Sequence, residues 1–277
     1  MSNNSPNDPD NISLVKARIF RAALERPRGL MLPLRTVEEM PPSSEGADVH
    51  GEVSCEDNNR YVVKGTRGGE LVPACEWIAA QIADLLGLDV PVAQIIEMTD
   101  GSIVFGSQFV KGAAAATETA EILTTQTLRP SGNLAPGLQR ILSEIYAFDM
   151  VINNIDRHDR NYVAVRGGIG HRLCAIDHAR SFFWSGNLDS FPDVAHNTRT
   201  FGRLMRARHG FDPKAADDLL KRYEGLAPTV IIRIIEAMPD HWLPLSNKEV
   251  FVDWWRNGKR QTKIKTLRSG LADGSLL

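Results

Sequence analysis

The sequence predicts an α+β fold, with a strand-rich N-terminal part carrying one helix and a mostly helical C-terminal part. Three observations predict it. Short runs rich in Val, Ile, Tyr and Phe, bounded by turn residues, dominate residues 34–110. One helix-period stretch, residues 73–87, interrupts them. Residues 197–277 read as helical throughout, with Pro213, Pro228, Pro239 and Pro244 as punctuation. The chain has 277 residues, 43% of them hydrophobic. That suits one two-lobed domain or two small ones.

Residues 1–12 are rich in Asn, Pro, Asp and Ser and read as a disordered tail. Residues 13–26 show a short helical periodicity. LRTVEEM (34–40) reads as a strand, PPSSEGADVHGEV as turn-rich, and RYVVK (60–64) as a strand after the turn signal EDNN. In PACEWIAAQIADLLG, Pro73 suits a first helical turn. Ile78, Ile82, Leu85 and Leu86 keep helical spacing, and Gly87 suits the exit. VPVAQIIEM and SIVFGSQFV read as a hairpin turning at Asp100-Gly101. Residues 111–137 are Ala-, Thr-, Pro- and Gly-rich and read as a connector. Leu138, Ile141, Leu142, Ile145, Phe148 and Ile152 then share a helix face. The polar segment NNIDRHDRN follows, then two short strands, YVAVR and RLCAID, around GGIGH.

Composition excludes several classes. With 32 basic against 34 acidic residues the net charge is −2, which argues against a general nucleic-acid binder. No apolar run approaches the ~20 residues of a membrane span. MSNNSPNDPD is neither a signal nor a transit peptide. Cys55, Cys75 and Cys174 are too few and scattered for a disulfide framework or zinc cluster, and they read as core thiols. The expectation is a cytoplasmic protein.

The chemistry concentrates in Asp156-Arg157-His158-Asp159-Arg160-Asn161. An Asp followed by four residues and an Asn is the catalytic-loop spacing of protein kinases. A carboxylate must meet the attacking hydroxyl, and an amide oxygen on the same tight loop must face Mg²⁺ on the phosphates. Asp177 ends the apolar run Leu173-Cys174-Ala175-Ile176, which suits a main Mg²⁺ ligand, since hard cations prefer oxygen donors. Lys64 ends a strand, where an ammonium reaches nucleotide phosphates, and Glu76 in the next helix is its candidate ion-pair partner, with Glu70 the alternative. Ser43, Ser44 and Gly46 lie in the turn where a phosphate-covering loop would fall, although that turn lacks a glycine-rich pattern. Backbone groups of Gln108, Phe109 and Val110 are candidates for binding adenine. His158, and Arg157 with a nearby carboxylate, would brace the loop.

DRHxxN, the aspartate of AIDH, YVVK and EWIAAQIADLLGLDVP together resemble the HipA-like serine/threonine kinases of bacterial toxin–antitoxin systems. DRHxxN is also similar to phosphatidylinositol 3/4-kinases. LGLDVPVAQIIEM and Pro239-Asp240-His241-Trp242 extend the resemblance over roughly residues 35–245. It implies a bilobal protein-kinase-like fold, with a small strand-rich N-lobe holding one αC-like helix (13–110) and a larger helical C-lobe (111–277). It implies ATP and Mg²⁺, a protein Ser/Thr acceptor and an antitoxin-like partner. By position it implies Asp156 as catalytic base, Asn161 and Asp177 as metal ligands, Lys64 on the phosphates and Ser43 or Ser44 as autophosphorylation sites. The expected form is a standalone kinase domain without the extra N-terminal subdomain of full-length toxins. Asp177 is followed by His178-Ala179 rather than Phe-Gly, and no APE-like segment is evident.

Blander readings stand beside these. Asp156 and Asn161 also suit a helix cap or an Asx-turn. His158, Asp156, Asp159, Asp177 and His178 also suit a transition-metal hydrolase. A lipid or small-molecule kinase, or a pseudokinase that binds nucleotide without turnover, would share the motif. The basic stretch 253–268 reads as a solvated helix face, and nucleic acid, a membrane or an acidic partner are its alternatives.

Overall fold

The structure is a computed structural model that describes residues 32–41, 51–66, 69–125, 138–167 and 170–277. It is a mixed α+β fold, strand-rich at the N-terminal end and helical at the C-terminal end. The readings of residues 1–26 and of the turn holding Ser43, Ser44 and Gly46 lie outside the described residues.

Five strands close into a barrel in the order β1-β2-β3-β5-β4: β1 (Leu34–Met40), β2 (Gly51–Cys55), β3 (Arg60–Lys64), β4 (Ala93–Glu97) and β5 (Ile103–Gln108). The neighbours are antiparallel, except that β1 runs parallel to β4 and closes the barrel through Leu34–Ile96 and Arg35–Glu97. β2 lies at the end of a segment that reads as turn-rich, because it is only five residues long and runs almost directly into the Asp57–Asn59 turn. Val53, Cys55, Tyr61, Val63, Ile96, Met98 and Val104 fill the interior. Gly106 on β5 is the close approach that permits this filling, since a Cβ there would run into the Ile96 side chain.

One helix lies between β3 and β4. α1 (Val72–Leu85) is apolar nearly all round and is buried on nearly all sides. Its Trp77 indole donates to the Ile234 carbonyl at 2.9 Å and meets Trp242 edge-on at 6.4 Å between ring centres. Trp242 in turn reaches the Ile103 carbonyl of β5 at 3.3 Å. These bonds tie the strands to the helical part.

The expected connector is only partly a connector. Its Ala- and Thr-rich start forms α2 (Ala116–Thr124), whose Thr119 hydroxyl accepts the Ala164 N–H. Alanine's high helix propensity and docking on a strand outweigh the turn-like composition. α3 (Leu138–Val151) follows, then the paired strands β6 (Tyr162–Gly167) and β7 (Gly170–Ala175). Five helices complete the chain: α4 (Asn197–His209), α5 (Pro213–Glu224), α6 (Pro228–Ala237), α7 (Leu245–Arg256) and α8 (Lys259–Asp273).

The basic stretch 253–268 is not simply a solvated face. Arg260 and Lys263 are buried. Arg260 caps the Tyr223 and Leu226 carbonyls and lies over the Trp255 ring, and Lys263 donates to the Leu188 carbonyl at 2.8 Å. Arg268 pairs with Asp217 and Glu224. Every fourth residue or so of α8 must face the core, and here some of those residues are cations that bond backbone oxygens.

Candidate active site

Lys64 ends β3 and pairs across the sheet with Phe105. Its side chain is buried, and its Nζ lies 2.5 Å from Glu76 Oε1 and 2.8 Å from Asp177 Oδ1. Glu76 sits in the second turn of α1, so strand and helix meet through one ion pair. Its other oxygen, Oε2, accepts the His178 N–H at 3.1 Å. A single carboxylate thus bridges the lysine and the backbone just after Asp177.

Asp177 adopts the left-handed region, with φ of 59°. Asp tolerates that conformation better than most residues, at about 1 kcal/mol. The turn diverts the chain after β7 and aims the carboxylate at Lys64. Burial would lower the Lys64 pKa, but Glu76 and Asp177 outweigh it and hold the value above that of ordinary lysine. Burial would likewise raise the Asp177 carboxyl, and Lys64 instead holds it below the usual range. Burial pushes the Glu76 carboxyl up, against the pull of Lys64. Asp177 and Lys64 therefore stay charged at neutral pH.

The loop after α3 is held from beneath. Arg157 is fully buried, and its Nε and Nη2 grip the Asp149 carboxylate at 2.8 and 2.9 Å. Its Nη1 donates to the carbonyls of Asn161 and Ile176. Asn154 also donates to Asp149, at 2.8 Å. One guanidinium therefore joins α3, the loop and the strand leading to Asp177. Asn161 Nδ2 donates to the Asp156 carbonyl at 2.8 Å, and Oδ1 accepts no hydrogen bond from a described residue. The amide is thereby oriented with its oxygen outward. His158 Nδ1 accepts the Arg160 N–H at 3.2 Å and closes the turn before Asn161. Asp156 Oδ1 accepts from Asn197 Nδ2 at 2.6 Å.

These groups face one cleft of about 690 Å³, within the range of small-molecule sites. Lys64, Glu76, Asp156, His158, Asn161 and Asp177 line it, and so do Gln108, Phe109 and Val110 beyond the end of β5. Gln108 lies roughly 10 Å along the strand from Phe105, the partner of Lys64. The backbone N–H groups of Gln108 and Phe109 are engaged by Val92 and Arg60, whereas that of Val110 has no partner among the described residues. Glu70 is not the group on Lys64; Glu76 is. Among the described residues no three His, Cys, Asp or Glu side chains gather as a metal cage, so the five-residue transition-metal cluster does not assemble. His178 is buried edge-on against Phe148, and burial, with Arg157 nearby, lowers its pKa well below the usual value.

Sequence reasoning misses Asp149, Thr198 and Asn197. Asp149 carries a local signal, a carboxylate beside the apolar stripe of α3. Asn197 and Thr198 carry none, because they reach the loop from about forty residues away.

A five-stranded barrel with one buried helix precedes a helical C-terminal part, and the charged groups line one cleft. The family model of HipA-like kinases matches residues 42–258, and the chain belongs to that family. No curated protein sequence matches the chain. Among solved structures, it is similar to the Helicobacter pylori proinflammatory kinase CtkA, with a TM-score of 0.56 and 16% identity over 86% of this chain and 98% of that one. It is also similar, with a TM-score of 0.43 and 11% identity, to Shewanella oneidensis MR-1 HipA, solved with HipB and its operator DNA. That match covers 97% of this chain and 82% of the other. At such identities the likeness to CtkA is one of fold. Family and fold together support a kinase function. Among the described residues, no helix is long and apolar enough to cross a membrane.

Proposed function

We propose that the chain is a bilobal atypical kinase that transfers the γ-phosphate of ATP to a Ser or Thr hydroxyl of a protein. The N-lobe would comprise residues 13–110 and the C-lobe 111–277. The observation that carries this reading is Lys64 Nζ bonded at once to Glu76 and Asp177, on a cleft that Asp156 and Asn161 also line.

In this reading adenine packs beside Phe105 and takes a hydrogen bond from the Val110 N–H. Lys64, steadied by Glu76, offsets charge on the phosphates. Asn161 Oδ1 and the Asp177 carboxylate are hard oxygen donors that fit Mg²⁺ and would hold it. The ion would supply charge neutralisation at the β- and γ-phosphates. Asp156 orients the acceptor hydroxyl and takes its proton as the new O–P bond forms and the γ-phosphorus–oxygen bond to ADP breaks. Positioning and electrostatics carry most of the acceleration. Family resemblance extends the proposal to autophosphorylation at Ser43 or Ser44 and to an antitoxin-like partner, to be sought by co-purification.

The test is intact-mass and phosphosite mapping after incubation with ATP and Mg²⁺, beside an Asp156→Ala variant. Mass gains of 80 Da per phosphate on the wild type or an added protein, absent from the variant, support the reading. Equal labelling by both would refute it. Transfer to phosphoinositides with none to protein would move the acceptor to the lipid class.

A further inference from the structure

The first turn of α4 is built into the loop that carries Asp156. Thr198 Oγ1 accepts the Arg157 N–H at 2.9 Å and donates to the Asn154 carbonyl at 2.5 Å. The Thr198 N–H reaches the Ile155 carbonyl at 3.4 Å. Thr198 is fully buried, so this seam is structural. Asn197, one residue earlier, is exposed and makes a different contact, its Nδ2 donating to Asp156 Oδ1 at 2.6 Å.

We propose that Asn197 is a positioning residue for phosphoryl transfer, which holds the Asp156 carboxylate so that Oδ2 alone is presented to the acceptor hydroxyl. The inference rests on Asp156 being the catalytic base. A carboxylate only accepts hydrogen bonds, so the amide nitrogen must face it. Oδ2 accepts no hydrogen bond from a described residue, and Asp156 lines the cleft. The carboxylate is thus committed on one side and open on the other. A donor at 2.6 Å restricts its rotation. The remaining loop bonds hold the backbone and leave the Asp156 side chain free to turn, so the orienting contact is specific to Asn197.

The position also has a consequence for control. Asn197 is delivered by the segment after Asp177, which is pinned by Asn153 to Ser185 and Ser190 and by Asp189 to the Trp254 indole. A shift of that segment would release the base, and it would also reach the Lys64–Glu76 pair, because Glu76 Oε2 accepts the His178 N–H.

The experiment compares wild type, Asn197→Ala, Asn197→Asp, Asn197→Ser and Asp156→Ala in the 277-residue chain. It uses radiolabelled ATP, Mg²⁺ and myelin basic protein as acceptor probe, with autophosphorylation read by intact mass in parallel. Asn197→Ala is expected to lower kcat on the order of 10- to 100-fold, the range for a hydrogen bond to a charged group. KM for ATP and the melting temperature should stay unchanged. Asn197→Asp, which removes the donor and sets a like charge beside Asp156, should lower kcat further, and Asn197→Ser, which keeps a donor, should recover part of the rate. Wild-type kcat in Asn197→Ala, with Asp156→Ala inactive, overturns this inference alone. Parallel loss of kcat, ATP affinity and melting temperature would make Asn197 merely structural and also overturn it. Full activity in Asp156→Ala overturns the parent reading instead.

Discussion

Replacing Lys64 with methionine tests the centre of the cleft through stability alone, apart from catalysis. Lys64 is buried between two carboxylates, 2.5 Å from Glu76 and 2.8 Å from Asp177. Removing one partner of a buried ion pair typically costs about 3–5 kcal/mol, because the other charge is left without compensation. At roughly 2–4 °C per kcal/mol for a chain of this size, the melting temperature should fall by roughly 6–20 °C. The loss should also depend on pH. Without Lys64, the Glu76 pKa, already pushed up by burial, rises further. A carboxyl with a folded pKa above its unfolded value makes the unfolded state the weaker proton binder. Stability then falls as pH rises from the unfolded value through the folded one. Lys64→Met should therefore lie closer to wild type at pH 5 than at pH 7.5. Adding Glu76→Gln removes the buried charge, so the double variant should regain about 0.5–3 kcal/mol of coupling. Denaturant melts of the four proteins at both pH values measure this. Strict additivity, or a loss under 1 kcal/mol for Lys64→Met, would refute the claim that Glu76 and Lys64 hold one another.

Three further outcomes follow from named contacts. Asp149→Asn should destabilise by about 3–5 kcal/mol, since it leaves Arg157 buried and under-paired, and it should abolish transfer through the loop; chemical denaturation and phosphate labelling check both. Lys263 is buried with its pKa lowered to about 7, chiefly by desolvation. Between pH 7 and about 10 the unfolded state binds more protons at this position, so wild-type stability should gain with rising pH. Lys263→Met should flatten that gain and raise the melting temperature at pH 7. The three thiols are buried, and burial first raises Cys55 to about 11 and Cys75 to about 12, so a thiol reagent should label none in native protein and all three after denaturation.

Local signals suffice where chemistry and structure are contiguous. The hairpin around Asp100-Gly101 is readable because Gly101 takes φ of 82° and strand alternation flanks it on both sides. The helix 72–85 is readable because Pro73 and Gly87 bracket an apolar helical repeat. The spacing of Asp156 and Asn161 is readable because a tight loop must present both from one side, and the Asn161-to-Asp156 bond closes that loop. The order Lys64, Glu76, Asp156, Asn161, Asp177 nominates the groups on the cleft before any coordinates.

What the linear chain does not carry is the set of partners that meet only after folding. Barrel closure through a parallel β1–β4 contact depends on two strands about sixty residues apart, and neither strand's pattern names its neighbour. Cations in 253–268 look solvated because charge is usually exposed, yet Arg260 and Lys263 turn inward where backbone carbonyls await donors. Asp149 and Asn197 approach the loop from α3 and α4, at positions no spacing rule connects to Asp156. Residue order therefore determined which functional groups are available and which local turns present them. The tertiary structure alone decided which of those groups are paired, which are buried, and so which remain charged and oriented, because burial and distance, rather than identity, set the strength of each interaction.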